Sequence, residues 1–109
     1  MKLNTAAITT SGMKFSLVED NLEVARAYLY FIHNGLHQEP FGLLEDVFVV
    51  QSHRGEGLGT KLIEQVVRAA KEHGCYKLVA TSRTSRSKVH QLYKRLGFQE
   101  RGVEFRIDF

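Results

Sequence analysis

A short glycine-rich run, Arg54–Thr60 (RGEGLGT), carries the residue types that bind phosphate. It stands between an apolar stretch and a helical pattern, so we expect it to lead into the first turn of a helix. The backbone N–H groups of such a turn have no partner within the helix, and the helix dipole favours an anion there. Gly57 and Gly59 have no side chains to keep a phosphate away from the backbone, and Arg54 adds a cation. The run therefore predicts a phosphate site.

Two common phosphate-binding loops do not match this run. A P-loop has Lys followed by Ser or Thr after its last glycine, whereas Thr60-Lys61 stands in the reverse order. A dinucleotide-binding loop has a third glycine two residues further on, and it normally lies in the first strand–helix unit. A simple tight turn remains the alternative. The arginine, the three alternating glycines and the strand-to-helix context together favour phosphate binding.

Other side chains that could do chemistry are fewer. Glu45 and Asp46 are adjacent carboxylates in an otherwise apolar strand (FGLLEDVFVV, residues 41–50), and strand alternation predicts that they point to opposite faces of a sheet. The five histidines do not show the spacing of a metal site, so we expect no metal. The single cysteine, Cys75, follows Gly74 just before a strand and is expected to be a packing residue rather than a nucleophile.

The elements that must position these residues follow from the hydrophobic periodicity. We expect a tail or edge segment at residues 1–13 and a single domain at 14–109, with turns at 19–21 and 34–35. The order of elements predicts an α/β (α+β) fold with a mixed, mostly antiparallel sheet flanked by helices. The predicted strands are Phe15–Asp20, Val24–His33, Phe41–Val50, Lys77–Ser82 and a terminal pair, Phe98–Arg101 and Glu104–Phe109, and the helices run from the glycine-rich run to Gly74 and through Val89–Leu96.

The net charge of +3 is unevenly distributed along the chain. Residues 1–50 carry three Lys and Arg against six Asp and Glu, whereas residues 51–109 carry twelve against six. This asymmetry favours an anionic ligand on the second half, although an unevenly charged surface would have the same composition. A nucleic-acid-binding domain is a weaker interpretation, because no dense run of Lys and Arg is interleaved with aromatic residues. The sequence predicts no transmembrane helix and no signal peptide, and the single cysteine favours a cytoplasmic location.

Two motifs resemble those of the GNAT superfamily of acyl-CoA N-acetyltransferases. The family pattern Arg/Gln-x-x-Gly-x-Gly/Ala corresponds to residues 54–59, and a helix ending in Leu-Tyr-x-x-x-Gly-Phe corresponds to Leu92–Phe98. The resemblance covers roughly residues 15–109. It implies a GNAT-like fold that is N-terminally truncated, because the family's first strand and two helices would precede Phe15.

This resemblance implies an enzyme that transfers the acetyl group of acetyl-CoA to a primary amine. The acidic first half favours a cationic acceptor, such as a polyamine, an aminoglycoside or a lysine side chain. A homodimer would complete the acceptor pocket and compensate for a small core. The alternative is a module of the same fold that binds acetyl-CoA without catalysis, which the short N-terminal part favours.

The resemblance also implies roles for particular residues. Glu45 is the candidate general base, because LEDVFV (residues 44–49) resembles the diamine acetyltransferase branch of the family. Tyr93 matches the tyrosine that donates a proton or a hydrogen bond to the departing sulfur; its alternative is a core aromatic residue. The Val49 backbone N–H is the candidate donor to the oxyanion.

The remaining implied contacts are with the cofactor. Where the family often has Asn and Ala on the second helix, this chain has Arg86 and Val89, and either Arg86 or Lys88 could instead reach the phosphate of the adenosine portion. The family binds the pantetheine arm as an added strand and the pyrophosphate at the helix start. The implied binding residues are Val47, Phe48 and Val49 for the pantetheine arm, and Arg54, Gly55, Glu56, Gly57, Leu58, Gly59 and Thr60 for the pyrophosphate.

Overall fold

Three antiparallel strands form the first half of the fold. The structure, a computed structural model, describes residues 1–109. Strand β1 (Ser11–Glu19) turns back into β2 (Leu22–Ile32) through residues 20–21, which both have positive φ, and β3 is Phe41–Val49. The turn predicted at residues 19–21 is confirmed. Strand β1 begins before the predicted Phe15, inside the segment expected to be a tail or an edge.

The second half adds two helices and one strand. A short 3-10 turn (Gln51–His53) leads to α1 (Leu58–Glu72), β4 (Leu78–Ala80) and α2 (Ser87–Arg95). The sheet order is β1-β2-β3-β4, with β4 parallel to β3 and the other neighbours antiparallel. The predicted mixed α+β fold is therefore confirmed. Neither helix is long and apolar enough to cross a membrane.

One face of the sheet packs against α1 and forms the core. Alternate side chains of β2 point to this face, as expected for a strand that is half buried. Helix α1 packs against these side chains with an apolar stripe at the spacing of an amphipathic helix. The buried cluster consists of Ala25, Ala27, Leu29, Phe31, Leu44, Leu62, Ile63, Val66, Ala69 and Ala70.

Helix α2 packs against the same cluster as α1. Leu92, Tyr93 and Leu96 contribute partly buried side chains to it. Both helices therefore cover one face of the sheet, and the opposite face carries no helix. Cys75 also packs against the cluster, as predicted, and burial raises the pKa of its thiol.

The terminal pair of strands predicted at Phe98–Arg101 and Glu104–Phe109 is wrong. Residues 98–109 contain no strand, and of these only Phe98 packs against the core. A strand needs a neighbour for its backbone hydrogen bonds, and no strand of this chain lies beside these residues. Strand β4 is also shorter than the predicted Lys77–Ser82, because its pairing with β3 ends at Ala80.

Candidate functional site

A wedge-shaped gap, here called the cleft, opens between β3 and β4. The two parallel strands pair only up to Leu44 and Ala80, while β3 continues to Val49. The edge of β3 beyond Leu44 therefore has no neighbouring strand on the side away from β2. Because β3 and β4 are parallel, the starts of α1 and α2 both lie at this end of the sheet.

Backbone alternation decides which groups of β3 face the cleft. The Val50 N–H donates to the Val24 carbonyl at 2.9 Å, so Val50 faces β2. Backbone groups of successive residues point alternately to either side of a strand, which turns Phe48 towards β2 and Val47 and Val49 into the cleft. Two of the three residues expected to bind a pantetheine arm are thus available. The backbone N–H and carbonyl of Phe48 are not available, because they face β2.

The start of α1 leaves its backbone donors open. Gly57 is the N-cap, with φ of 78°, and no side chain caps the helix. The Lys61 N–H makes the first turn's bond, to the Gly57 carbonyl at 3.1 Å. The N–H groups of Leu58, Gly59 and Thr60 consequently have no partner in the helix. A Ser or Asp cap would normally occupy one of these donors, and its absence leaves them free for an anion.

An open depression of about 200 Å³ lies at this helix start. The Arg54 Nε donates to the Val49 carbonyl at 3.0 Å, and the guanidinium carbon lies 5.7 Å from the centre of the Phe48 ring. These contacts hold Arg54 at the depression and leave its terminal nitrogens available. The lining residues are Val49, His53, Arg54, Gly55, Gly57, Leu58, Gly59, Thr60 and Leu92.

The lining differs from the sequence prediction at three positions. Glu56 was expected at the site but does not line the depression. His53 and Leu92 line it and were not predicted. Their positions beside Arg54 and Tyr93 were the only signal in the sequence. His53 is held from both sides, by Glu19 at 3.3 Å and by the Ser52 hydroxyl at 3.0 Å.

A β-bulge at Asp46 changes the arrangement of the two adjacent carboxylates. Asp46 has φ of 49°, and the pairing of β2 with β3 shifts register there. Glu45 lies opposite Tyr28, while the Asp46 carboxylate accepts a hydrogen bond from the Arg26 Nε at 2.8 Å. Since Arg26 and Tyr28 share a face of β2, both carboxylates lie on that face. The prediction that they point to opposite faces is wrong, because the extra residue interrupts the alternation.

The bulge leaves only one of these carboxylates free. The hydrogen bond from Arg26 holds the pKa of Asp46 below its usual value. The Glu45 side chain is exposed and makes no hydrogen bond or ion pair with any other residue of the chain. Of the two, Glu45 is the carboxylate that can take up a proton or attract a cation.

Tyr93 lies on α2 and is partly buried. Its ring packs against the core cluster and lies 5.1 Å from the Phe98 ring. Burial raises the pKa of the Tyr93 hydroxyl, the charge of Glu45 raises it further, and Arg86 lowers it. The hydroxyl is therefore protonated at neutral pH and can donate.

The start of α2 carries two cations without acidic partners. Arg86 is the N-cap residue and Lys88 lies in the first turn, and both are exposed. Neither forms an ion pair within the chain. They lie at the same end of the sheet as Arg54. No group of three or more His, Cys, Asp or Glu side chains is placed to hold a metal ion.

Comparison with known proteins gives a consistent result. The acetyltransferase (GNAT) family model matches residues 5–98. The chain is 38% identical over 68 residues to a protein of Oryza sativa subsp. japonica named as a probable glucosamine 6-phosphate N-acetyltransferase, an alignment that covers 62% of this chain and 39% of that protein. It is 34% identical over 67 residues to an aminoglycoside N(6')-acetyltransferase of Acinetobacter haemolyticus, covering 62% of this chain and 46% of that one.

A solved structure extends the similarity to the whole fold. The aminoglycoside N-acetyltransferase AAC(6')-Iy, in complex with the bisubstrate analogue CoA-S-monomethyl-acetylneamine, superimposes with a TM-score of 0.71 at 25% identity. The match covers 90% of this chain and 70% of that one. The chain spans less than half the length of the two relatives above, which are longer proteins.

Proposed function

Because the chain belongs to the acetyltransferase (GNAT) family, we propose that it transfers the acetyl group of acetyl-CoA to a primary amine. The observation that carries this proposal is the cleft itself. Backbone N–H groups at the start of α1 are uncapped, the edge of β3 beyond Leu44 is free, and the chain offers a protonated tyrosine and an unpaired carboxylate in Tyr93 and Glu45. These are the groups that such a transfer needs.

The acetyl donor, acetyl-CoA, would be held mainly by backbone groups of the protein. The N–H groups of Leu58–Thr60 and the free nitrogens of Arg54 suit a diphosphate, because they supply hydrogen-bond donors that no acidic side chain of the chain occupies. Backbone groups of Val47 and the Val49 N–H face the cleft and suit a pantetheine arm, as in the addition of a strand, while the Val49 carbonyl already accepts from Arg54. Arg86 or Lys88 would meet the phosphate of the adenosine portion.

The chemistry would use two side chains and one amide. An amine with a pKa of ~10.4 costs roughly 4.6 kcal/mol to deprotonate at pH 7, and Glu45 would accept that proton directly or through a water. The amine nitrogen then attacks the thioester carbonyl carbon, and the Val49 N–H would stabilise the oxyanion. As the carbon–sulfur bond breaks, the Tyr93 hydroxyl would donate its proton to the sulfur, and the second proton that the nitrogen loses would return to the Tyr93 oxygen through water, which leaves an amide and free CoA.

A cationic amine is the acceptor class that this site favours. The free carboxylate of Glu45 is exposed on the sheet face that no helix covers. Two relatives are named for acetylation of amino groups on sugars, so amino sugars and aminoglycosides come first, followed by polyamines and lysine side chains. We include a cytoplasmic location and a homodimer in the proposal, on the single cysteine and the small core.

A second candidate is a module that binds acetyl-CoA without catalysis. The uncovered face of the sheet favours it, because this face would have to bound the acceptor. Tyr28 and Tyr30 lie on it with their rings stacked 6.2 Å apart, and the Lys14 ammonium lies 5.7 Å from the centre of the Tyr28 ring. Both candidate functions use the same acetyl-CoA site, and they differ in whether the acetyl group is transferred.

The test measures binding and turnover separately. We expect calorimetry to detect binding of CoA and acetyl-CoA, and a thiol-release assay to detect turnover with at least one of kanamycin, glucosamine 6-phosphate, spermidine and a lysine peptide. Binding without turnover on the whole panel would favour the second candidate. No binding of either ester would overturn both.

A charge placed at the helix start sharpens the binding test. Gly59→Asp puts a carboxylate beside the open donors, where it favours the helix but repels a diphosphate. We expect CoA affinity to fall at least tenfold with no loss of thermal stability. The matched control is Gln65→Glu, the same change of charge on the exposed side of α1. Equal affinities for the two variants would rule out the assigned diphosphate site.

A further inference from the structure

Two arginine side chains lie over the aromatic ring of Phe48. The Arg26 guanidinium carbon is 4.7 Å from the centre of this ring, and the Arg54 guanidinium carbon is 5.7 Å from it. Both distances are within the ~6 Å at which an aromatic face attracts a cation. The Phe48 side chain is exposed and does not belong to the core cluster. Its ring is therefore positioned against cations rather than against the core.

The first of these cations, Arg26, is fixed and its charge is offset. Arg26 is the cross-strand partner of Phe48. Its Nε donates to the Asp46 carboxylate at 2.8 Å, and its Nη1 lies 3.8 Å from the Glu23 carboxylate. Because two carboxylates offset its positive charge, Arg26 repels a second cation near the same ring only weakly. Arg26 thus packs against the ring from β2 without driving Arg54 away.

The second cation, Arg54, has no acidic partner. Its one side-chain hydrogen bond runs from Nε to the Val49 carbonyl at 3.0 Å, and it forms no ion pair within the chain. A long, exposed arginine side chain has many rotamers, and ordering it when a ligand binds lowers the affinity. The hydrogen bond and the contact with the Phe48 ring both restrict these rotamers. Together they hold the guanidinium at the depression before a ligand arrives.

We propose that Phe48 is a positioning residue of the acetyl-CoA site: its aromatic ring holds the Arg54 guanidinium where the terminal nitrogens meet the diphosphate. The assignment rests on the proposed function, which places that diphosphate at the start of α1. The ring acts through Arg54 and touches none of the reacting atoms, so it contributes to donor binding and not to the chemical step. This role belongs to the side chain, since the backbone of Phe48 faces β2.

Removal of the aromatic face tests this role. Phe48→Leu keeps an apolar side chain on β3 but removes the ring, and we expect calorimetry to show a CoA affinity about three- to tenfold lower than that of the wild type. Phe48→Tyr keeps the ring and should stay within about twofold of the wild type. The matched control is Phe41→Leu, at the start of the same strand, where the Lys77 ammonium lies 5.1 Å from the ring centre. We expect this control to bind CoA like the wild type.

A double-mutant cycle shows whether the ring acts through Arg54. Arg54→Ala should weaken CoA binding, and adding Phe48→Leu to it should cause no further loss beyond about twofold. The proposal is overturned if Phe48→Leu binds like the wild type, if Phe41→Leu loses as much affinity, if Phe48→Tyr loses as much as Phe48→Leu, or if the two substitutions of the cycle weaken binding independently. In each of these cases a wild type that binds CoA leaves the proposed function standing. A wild type that binds no CoA overturns both.

Discussion

At the scale of residues, two neighbouring carboxylates with the same chemistry have different roles in the structure. Asp46 is held by the Arg26 guanidinium, and its pKa is lowered by that hydrogen bond. The side chain of Glu45 has no such partner, and its charge raises the pKa of Tyr93. A carboxylate already bound to a cation is a poor base, because protonation would break the bond. The structure thus favours Glu45 for a reason that differs from the one in the sequence.

Removal of the Tyr93 hydroxyl isolates its part in the reaction. Tyr93→Phe keeps the ring that packs on Phe98 and the core, so folding should be preserved. We expect turnover to fall about 10²- to 10⁴-fold, the range for loss of a general acid, with CoA affinity unchanged. Steady-state kinetics and calorimetry measure the two quantities. Tyr76→Phe is the control, since the Tyr76 hydroxyl contacts only Asn34, away from the cleft; an equal loss in both variants would contradict the assignment.

The role of Glu45 has a pH signature. Glu45→Gln removes the base, so the variant depends on amine that is already neutral. We expect turnover to fall most at low pH, where neutral amine is scarcest, and to approach the wild-type rate as pH rises. A pH–rate profile measures this. Glu39→Gln, in the loop before β3, makes the same change at an exposed position and serves as the control. Parallel profiles for wild type and Glu45→Gln would exclude Glu45 as the base.

At the scale of elements, the glycines at the start of α1 are not equivalent. Gly55 and Gly57 have φ of 85° and 78°, in the left-handed region that side chains disfavour. Gly59 has no positive φ, and a Cβ there would meet only the Val49 side chain at 3.9 Å. The backbone turn therefore needs two glycines. The third position has room for a methyl group, in keeping with the Gly/Ala alternative in the family pattern.

Alanine substitutions separate these two kinds of glycine. Gly57→Ala should cost about 1–2 kcal/mol of stability, because alanine must adopt the left-handed conformation, and should weaken CoA binding. Gly59→Ala should keep the affinity and gain up to about 1 kcal/mol from the higher helix propensity of alanine. Denaturant unfolding and calorimetry measure both effects. A stable, tightly binding Gly57→Ala protein would show that the positive φ is not required.

At the scale of the whole molecule, one helical layer on a four-stranded sheet leaves the other sheet face to polar contacts. On that face Lys14, Glu23, Arg26 and Asp46 form a chain of ion pairs across three strands. Hydrogen bonds from Lys14 and Ser16 lower the pKa of Glu23, as Arg26 does for Asp46. These exposed contacts take the place of a second apolar core, and each contributes little by itself.

The pH dependence of folding should report this network. Groups whose pKa is lowered in the folded state stabilise it above their unfolded pKa, about 4 for Asp and Glu, and that contribution is lost as pH falls through the folded value. We expect the free energy of unfolding to decrease below about pH 4, and Asp46→Asn to reduce this decrease. Urea unfolding at pH 7, 5 and 3 provides the comparison, with Glu39→Gln as the control. An acid decrease that Asp46→Asn leaves unchanged would place its cause elsewhere.

The sequence alone determined the elements with strong local signals. The period of α1, the turn at residues 19–21 and the glycine-rich run are recorded in neighbouring residues, because helix periodicity, turn chemistry and helix starts depend on local contacts. The apolar run at residues 41–50 likewise predicted a strand, which is β3. Family motifs at residues 54–59 and 92–98 led to the correct fold and the correct family.

Only the tertiary structure decided what depends on distant partners. The bulge at Asp46 arises from the register of β3 against β2, and it placed both carboxylates on one face. The terminal residues have the alternation of a strand but no neighbour to pair with, so their pattern did not become a strand within this chain. His53 and Leu92 reach the depression because β1, α1 and α2 meet there. These contacts and registers involve residues far apart in sequence, so no local sequence pattern predicts them.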